Sequence, residues 1–219
     1  MVFKKIDSTA PVADYLFATI STQLAKGKKV LWLMPGGSAI PIAQNVLQKL
    51  QTIDCSQLAI SLTDERWGAV GHADENWTAI VKGTQLPTTA NLVTVNQGKN
   101  IEHTTMDYHA ALKQLFEWAD YRIGFFGIGP DGHTAGILPH TPAVHSLDLA
   151  ASYDAGNFKR ITMTPLAIER LNTAVAYAVG KPKHCILDEL SNDISIDDMP
   201  SQALKQAGEL VIFNDYKGE

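Results

Sequence analysis

Short apolar runs separated by helix-periodic stretches constrain this chain most. Residues 29–34, 58–63, 123–127, 174–179 and 210–214 each read as a buried strand. Before the first of them Val12, Leu16, Ile20 and Leu24 recur at helical spacing, and between the first and second Ile42, Val46, Leu47 and Leu50 do the same. Two more strands are expected at 92–95 and 158–162. Further helices are expected at about 104–119, 164–171, 183–190 and 200–207. This alternation predicts an α/β architecture, a mainly parallel sheet with helices on both faces. The length of 219 residues suits a single domain, and neither a boundary nor a repeat interrupts it. Residues 141–157 lack a clear period and are expected to form a loop bordering any site.

Charge and cysteine usage narrow the partners. With 18 basic against 23 acidic residues the net charge is −5, and no Lys/Arg run stands out, which argues against nucleic acid. An anionic ligand would need a locally positive pocket. No stretch is long and apolar enough for a membrane span, and residues 1–7 carry no apolar core followed by a cleavage site. Cys55 and Cys185 lie far apart without metal-type spacing and read as reduced thiols of a cytoplasmic protein. The seven histidines show no HExxH or comparable spacing, so no metal is expected. His103 and His109 read as surface residues of the long helix.

Three polar loops follow apolar runs. In Phe125-Phe126-Gly127-Ile128-Gly129-Pro130-Asp131-Gly132-His133-Thr134-Ala135 a strand opens into glycines and delivers His133 beside Asp131. Glycines let a backbone approach a ligand closely, and imidazole exchanges protons near neutrality. Taken alone, the segment suits a hydrogen-bonding turn histidine as well as a proton-transfer group. Pro35-Gly36-Gly37-Ser38, between a strand and a helix, could offer backbone N–H groups and a hydroxyl to an anion, although a plain βα turn explains it better by itself. Asp64-Glu65-Arg66 follows another strand, where Arg66 could supply a planar fork to a phosphate or carboxylate and Asp64 could orient it or meet a substrate hydroxyl; a solvated loop with a local ion pair fits equally. Arg160, Lys181 and Lys183 place further cations beside strand and helix ends, each singly compatible with ordinary surface charge.

Together and in this order, these motifs resemble the 6-phosphogluconolactonase family, which shares a superfamily with glucosamine-6-phosphate deaminase. The likeness runs from the first helix to the last strand and includes Met199-Pro200-Ser201-Gln202-Ala203-Leu204. It implies a modified Rossmann-like fold in a single domain, no cofactor, and hydrolysis of 6-phospho-D-glucono-1,5-lactone in the oxidative pentose phosphate pathway. It further implies that His133, with Asp131, is the base that activates water. Gly36, Gly37, Ser38, Asp64, Arg66, Arg160 and Lys183 would bind the substrate and its phosphate; Lys183 fits the family's Gly-x-x-Lys better than Lys181. The expected partner is a sugar phosphate lactone, and the expected state a monomer or small homo-oligomer. Three places depart from the family pattern: Ala39 stands where a threonine is usual, Glu75 where serine is common, and Leu138-Pro139-His140 where Phe-Pro-Gly is usual. The rival deaminase reading calls for Asp-Glu-Tyr at 64–66 and a glutamate at 138, where this chain has Arg66 and Leu138. A non-catalytic sugar-phosphate sensor on the same scaffold is the other alternative.

Overall fold

The computed structural model describes residues 1–218. Its chain order is β1 (Val2–Lys5), α1 (Ala10–Ala25), β2 (Val30–Met34), α2 (Ile40–Leu50), β3 (Leu58–Leu62), β4 (Asp64–Arg66), α3 (Asn76–Lys82), β5 (Asn91–Leu92), α4 (Ile101–Trp118) and β6 (Tyr121–Gly127). It continues through β7 (Ala150–Asp154), β8 (Lys159–Met163), α5 (Pro165–Glu169), β9 (Thr173–Ala178), α6 (His184–Glu189) and β10 (Glu209–Asn214). Seven strands form a sheet in the order β1-β10-β9-β6-β2-β3-β5, parallel at every pairing. The apolar runs became its centre because a parallel sheet covered by helices buries both faces of each strand. Every residue of β2 and β3 is buried, and Trp32, Phe125 and Phe126 are fully enclosed. Burying each such side chain contributes roughly 1.5–3 kcal/mol relative to exposure. No helix among the described residues is long and apolar enough to cross a membrane.

A second sheet departs from the expectation of one. β4, β8 and β7 form a three-stranded antiparallel ribbon. Residues 158–162, expected to join the main sheet, instead supply its middle strand, and the supposedly irregular 141–157 contains β7. Asp64-Glu65-Arg66 is likewise a strand and not a solvated loop. Smaller corrections have local causes. The short, half-exposed edge strand β1 lacks an apolar run to announce it. Helix α4 begins three residues earlier than expected because the Asn100 side chain caps it through the His103 N–H. Residues 200–206 wind as a 3₁₀ helix, with the Ser201 N–H tied to the Gly132 carbonyl at 2.9 Å. His109 is half-buried and not a plain surface residue, its Nδ1 accepting the Leu149 N–H at 3.1 Å.

Candidate active site

Chain order dictates where a site must form. From β2 the chain moves outward through β3 to β5, then returns to the other side of β2 with β6 and continues to β9. The direction reverses between β2 and β6, and open parallel sheets bind ligands beyond the carboxyl ends of strands at such a reversal. The loops leaving β2, β3, β6 and β9, neighbours in the sheet, line one cleft of about 240 Å³. Gly36, Gly37, Ser38, Asp64, Arg66, His133, Arg160 and Lys183 all face it. Asp131 stands behind His133, and Lys181 is exposed and does not line the cleft.

Backbone geometry explains the glycines that matter most. At Gly136, φ is +70°, and a Cβ would lie 2.7 Å from the Asp64 Oδ2. At Gly129 a Cβ would overlap the His133 ring. The turn from β6 can therefore fold back over Asp64 and hold the imidazole only without side chains there. Two threonines fix it: Thr134 Oγ1 donates to the Gly127 carbonyl at 2.8 Å, and Thr162 Oγ1 donates to the Ala135 carbonyl. Met199 packs on Gly132, which is where the Met199-Pro200 segment meets the site.

His133 Nδ1 lies 2.5 Å from Asp131 Oδ1. That carboxylate accepts only, so Nδ1 carries the proton and Nε2 is left as the basic nitrogen. Burial raises the Asp131 pKa, but the adjacent imidazole and its hydrogen bonds outweigh it and hold the carboxyl below its ordinary value. Asp131 therefore faces the His133 ring as a carboxylate at neutral pH.

The small sheet assembles the charged wall. In the antiparallel register Asp64 opposes Thr162 and Arg66 opposes Arg160, so these four share one face while Glu65 and Ile161 share the other. Arg160 Nη1 approaches Asp64 Oδ2 at 3.8 Å. Arg66 donates to the Asp74 carbonyl at 3.2 Å and lies over the Phe158 ring at 4.8 Å. Each guanidinium keeps a buried Nε without a hydrogen-bond partner. Burial raises the Asp64 pKa, opposed first by Arg160. Burial likewise lowers the pKa of Lys183, against a smaller opposing pull from Asp215. Three cations thus converge on a cleft in a chain of net charge −5.

Sequence reasoning passed over Glu65 and Asn76 as parts of the site. Glu65 is fully buried and accepts the N–H groups of Arg66 and Asn76, both at 2.7 Å, and of Trp77 at 2.9 Å. Burial pushes its carboxyl up to about 8 against those three donors. Asn76 lines the cleft, donates to the Asp64 carbonyl at 3.1 Å and occupies the space a side chain at Gly36 would need. An apolar run ending in Asp-Glu-Arg, with alternate faces of a strand in mind, could have flagged Glu65; nothing local could have flagged Asn76.

The departures from the family pattern fall beside the cleft. Ala39 is buried in the apolar core and does not line the site. Glu75 braces a loop, accepting from Gly71 N–H, Thr78 Oγ1 and Asn96 Nδ2. His140 adopts φ +60°, the left-handed conformation glycine takes readily, and is held there by Asp197.

Residues 5–212 match the family model described as glucosamine-6-phosphate isomerases/6-phosphogluconolactonase. The chain belongs to this family. A 6-phosphogluconolactonase of Pseudomonas putida is 30% identical over 145 residues, covering 64% of this chain and 57% of that protein. The Bos taurus 6-phosphogluconolactonase is 25% identical over 134 residues, 58% of this chain and 52% of its own. The chain thus aligns with just over half the length of these two curated relatives. Among solved structures, a 6-phosphogluconolactonase from Thermotoga maritima superposes with a TM-score of 0.81 at 21% identity, covering 97% of this chain and 98% of that one. A monomeric glucosamine-6-phosphate deaminase superposes with a TM-score of 0.78 at 18% identity, covering 98% and 97%. Both chemistries within the family use this fold.

Proposed function

We propose that this protein hydrolyses 6-phospho-D-glucono-1,5-lactone to 6-phosphogluconate, with His133 as general base. The observation that carries the reading is that the His133–Asp131 couple opens on the cleft that also gathers Arg66, Arg160 and Lys183. A base alone suits many reactions; a base in a cleft that also holds three cations suits a phosphorylated substrate.

Nε2 of His133 takes a proton from water as its oxygen bonds to the lactone carbonyl carbon, and the carbonyl oxygen becomes an oxyanion. Collapse of that intermediate breaks the bond from this carbon to the ring oxygen, which recovers the proton from the imidazolium. The new carboxylic acid then ionises and releases one proton to solvent. Asp131 holds the productive tautomer and offsets the transient imidazolium charge. Phosphate held by the arginines, Lys183 and the Gly36–Ser38 loop fixes the lactone relative to Nε2, removing orientational entropy from the barrier.

The fold does not separate this reading from the deaminase, since structures of both kinds superpose closely, with TM-scores of 0.81 and 0.78. Residue identity favours the lactonase: Arg66 stands where the deaminase pattern has tyrosine, and Leu138, which cannot relay a proton, where it has glutamate. The test is a pair of assays on one preparation. Proton release from fresh 6-phosphogluconolactone above its spontaneous rate, with no ammonia from glucosamine 6-phosphate, supports the proposal. Ammonia with only background lactone decay overturns it, and silence in both assays leaves the sensor reading in its place.

A further inference from the structure

We propose that Asp215, together with His184, is a positioning pair that aims Lys183 into the cleft. The inference rests on the phosphate role given to Lys183 above.

Asp215 follows β10 directly, and β10 lies beside β9 in the sheet. Its carboxylate therefore reaches the neighbouring loop after β9. It accepts the Gly180 N–H through both oxygens, at 3.2 and 3.1 Å, and the His184 Nε2 stands 3.0 Å from Oδ1. These contacts grip the turn that carries Lys183 at both ends. Gly180 has φ +112°, a conformation side chains rarely adopt, and the Lys183 N–H closes on the Gly180 carbonyl at 2.9 Å. The His184 ring is stacked on Tyr216 at 4.4 Å and 11°, so Asp215 and its neighbour clamp the imidazole from edge and face. Tyr216 in turn donates to Asp188 at 3.1 Å, which also pairs with Lys217.

The arrangement has an electrostatic consequence. Lys183 is half-buried, and Asp215 is the carboxylate that favours its ammonium form against burial. Tyr177, on β9, also feels the Asp215 charge. Asp215 lies outside the cleft lining and so acts on the ligand only through Lys183. A lysine is a flexible point charge, and a fixed turn with a nearby carboxylate supplies the orientation that its own stem does not.

The experiment measures binding of 6-phosphogluconate and steady-state kinetics for wild type, Asp215→Asn, Lys183→Met and the double variant. Asp215→Asn is expected to raise the product Kd and the KM by roughly two- to fivefold, the scale of one partly exposed charge interaction, while kcat is retained. Its affinity should also fall off at a lower pH on the alkaline side, because Lys183 loses the charge that favoured its proton. On the Lys183→Met background the same change should add nothing. His184→Phe, which retains the stack on Tyr216 but cannot bond Asp215, should weaken binding in the same sense and carries the test if Asp215→Asn does not fold. Unchanged affinity in these variants beside a weakened Lys183→Met overturns the inference alone, as does an additive effect in the double variant. Unchanged affinity in Lys183→Met removes the phosphate role itself and the inference with it.

Discussion

Arg66 and Arg160 are direct partners across the β4–β8 ladder, and both line the cleft. Like charges directly opposite on a sheet repel. Asp64, on the same face, relieves only part of that repulsion, at 3.8 Å from Arg160. Under the proposed function a bound phosphate would relieve the rest, and the small antiparallel sheet would serve as an anion platform attached to a parallel one.

Removing half of that platform tests it. Arg66→Ala should cost a charge-assisted hydrogen bond of roughly 1.5–3 kcal/mol, about ten- to a hundredfold in kcat/KM. Arg66→Lys should recover part, because a point charge cannot reproduce the fork. The comparison that matters is with unphosphorylated gluconolactone, whose hydrolysis should respond far less. Equal losses on both lactones would mean that Arg66 does not read the phosphate.

The turn beneath the imidazole makes a second prediction. Gly136→Ala forces an alanine into φ +70° and its Cβ towards Asp64. The left-handed conformation alone costs roughly 1–2 kcal/mol, so denaturant melts should report at least that loss. Gly37→Ala, at φ +64° with open space around it, should show only the conformational part. Matching losses in the two variants would argue that Asp64 yields without cost.

How much of this was legible in the sequence follows from range. Strands β2, β3, β6, β9 and β10 declare themselves because each is a buried run, and the motifs at their ends came with them. The small sheet was hidden: its strands are short, its pairing joins residues 64–66 to 160–162, and only that register brings Arg66 to Arg160. In the sequence Glu65 is one of three polar neighbours, yet the alternation of a strand sends it away from them into the protein. The Asp131–His133 bond spans two residues and was readable; Asn76 against Gly36, and Asp215 against Gly180, are tertiary contacts.

The loop after the histidine turn should carry a pH signature. The hydrogen bond to Asp197 raises the pKa of His140, and the same bond lowers that of Asp197. The His140 contribution to stability is present below the ordinary imidazole range and fades as pH rises through its raised value. The Asp197 contribution is present above the ordinary carboxylate range and fades as pH falls through its lowered value. The pair therefore stabilises between the two. Melting temperatures of wild type and His140→Gln, compared across pH, should differ most in that window and converge at alkaline pH. A difference that persists unchanged into alkaline pH would assign the effect to packing.

Asp131→Asn isolates the partner of the base. The amide can bond His133 Nδ1 in the wrong tautomer, and the imidazolium loses its counter-charge, so kcat should fall roughly a hundredfold or more with product affinity little changed. Because the Asp131 pKa is held low, a decline of the wild-type rate at acid pH should not follow protonation of this carboxyl.

The central claim is that His133 activates water in this cleft, and single-turnover hydrolysis of fresh 6-phosphogluconolactone by His133→Gln tests it most directly. Glutamine retains a polar side chain of similar reach without a useful base. The account predicts a rate constant lower by about two to four powers of ten, the worth of a positioned general base, with 6-phosphogluconate still bound at near wild-type affinity. A folded His133→Gln protein that hydrolyses the lactone at the wild-type rate would contradict it and make His133 a structural residue of the turn.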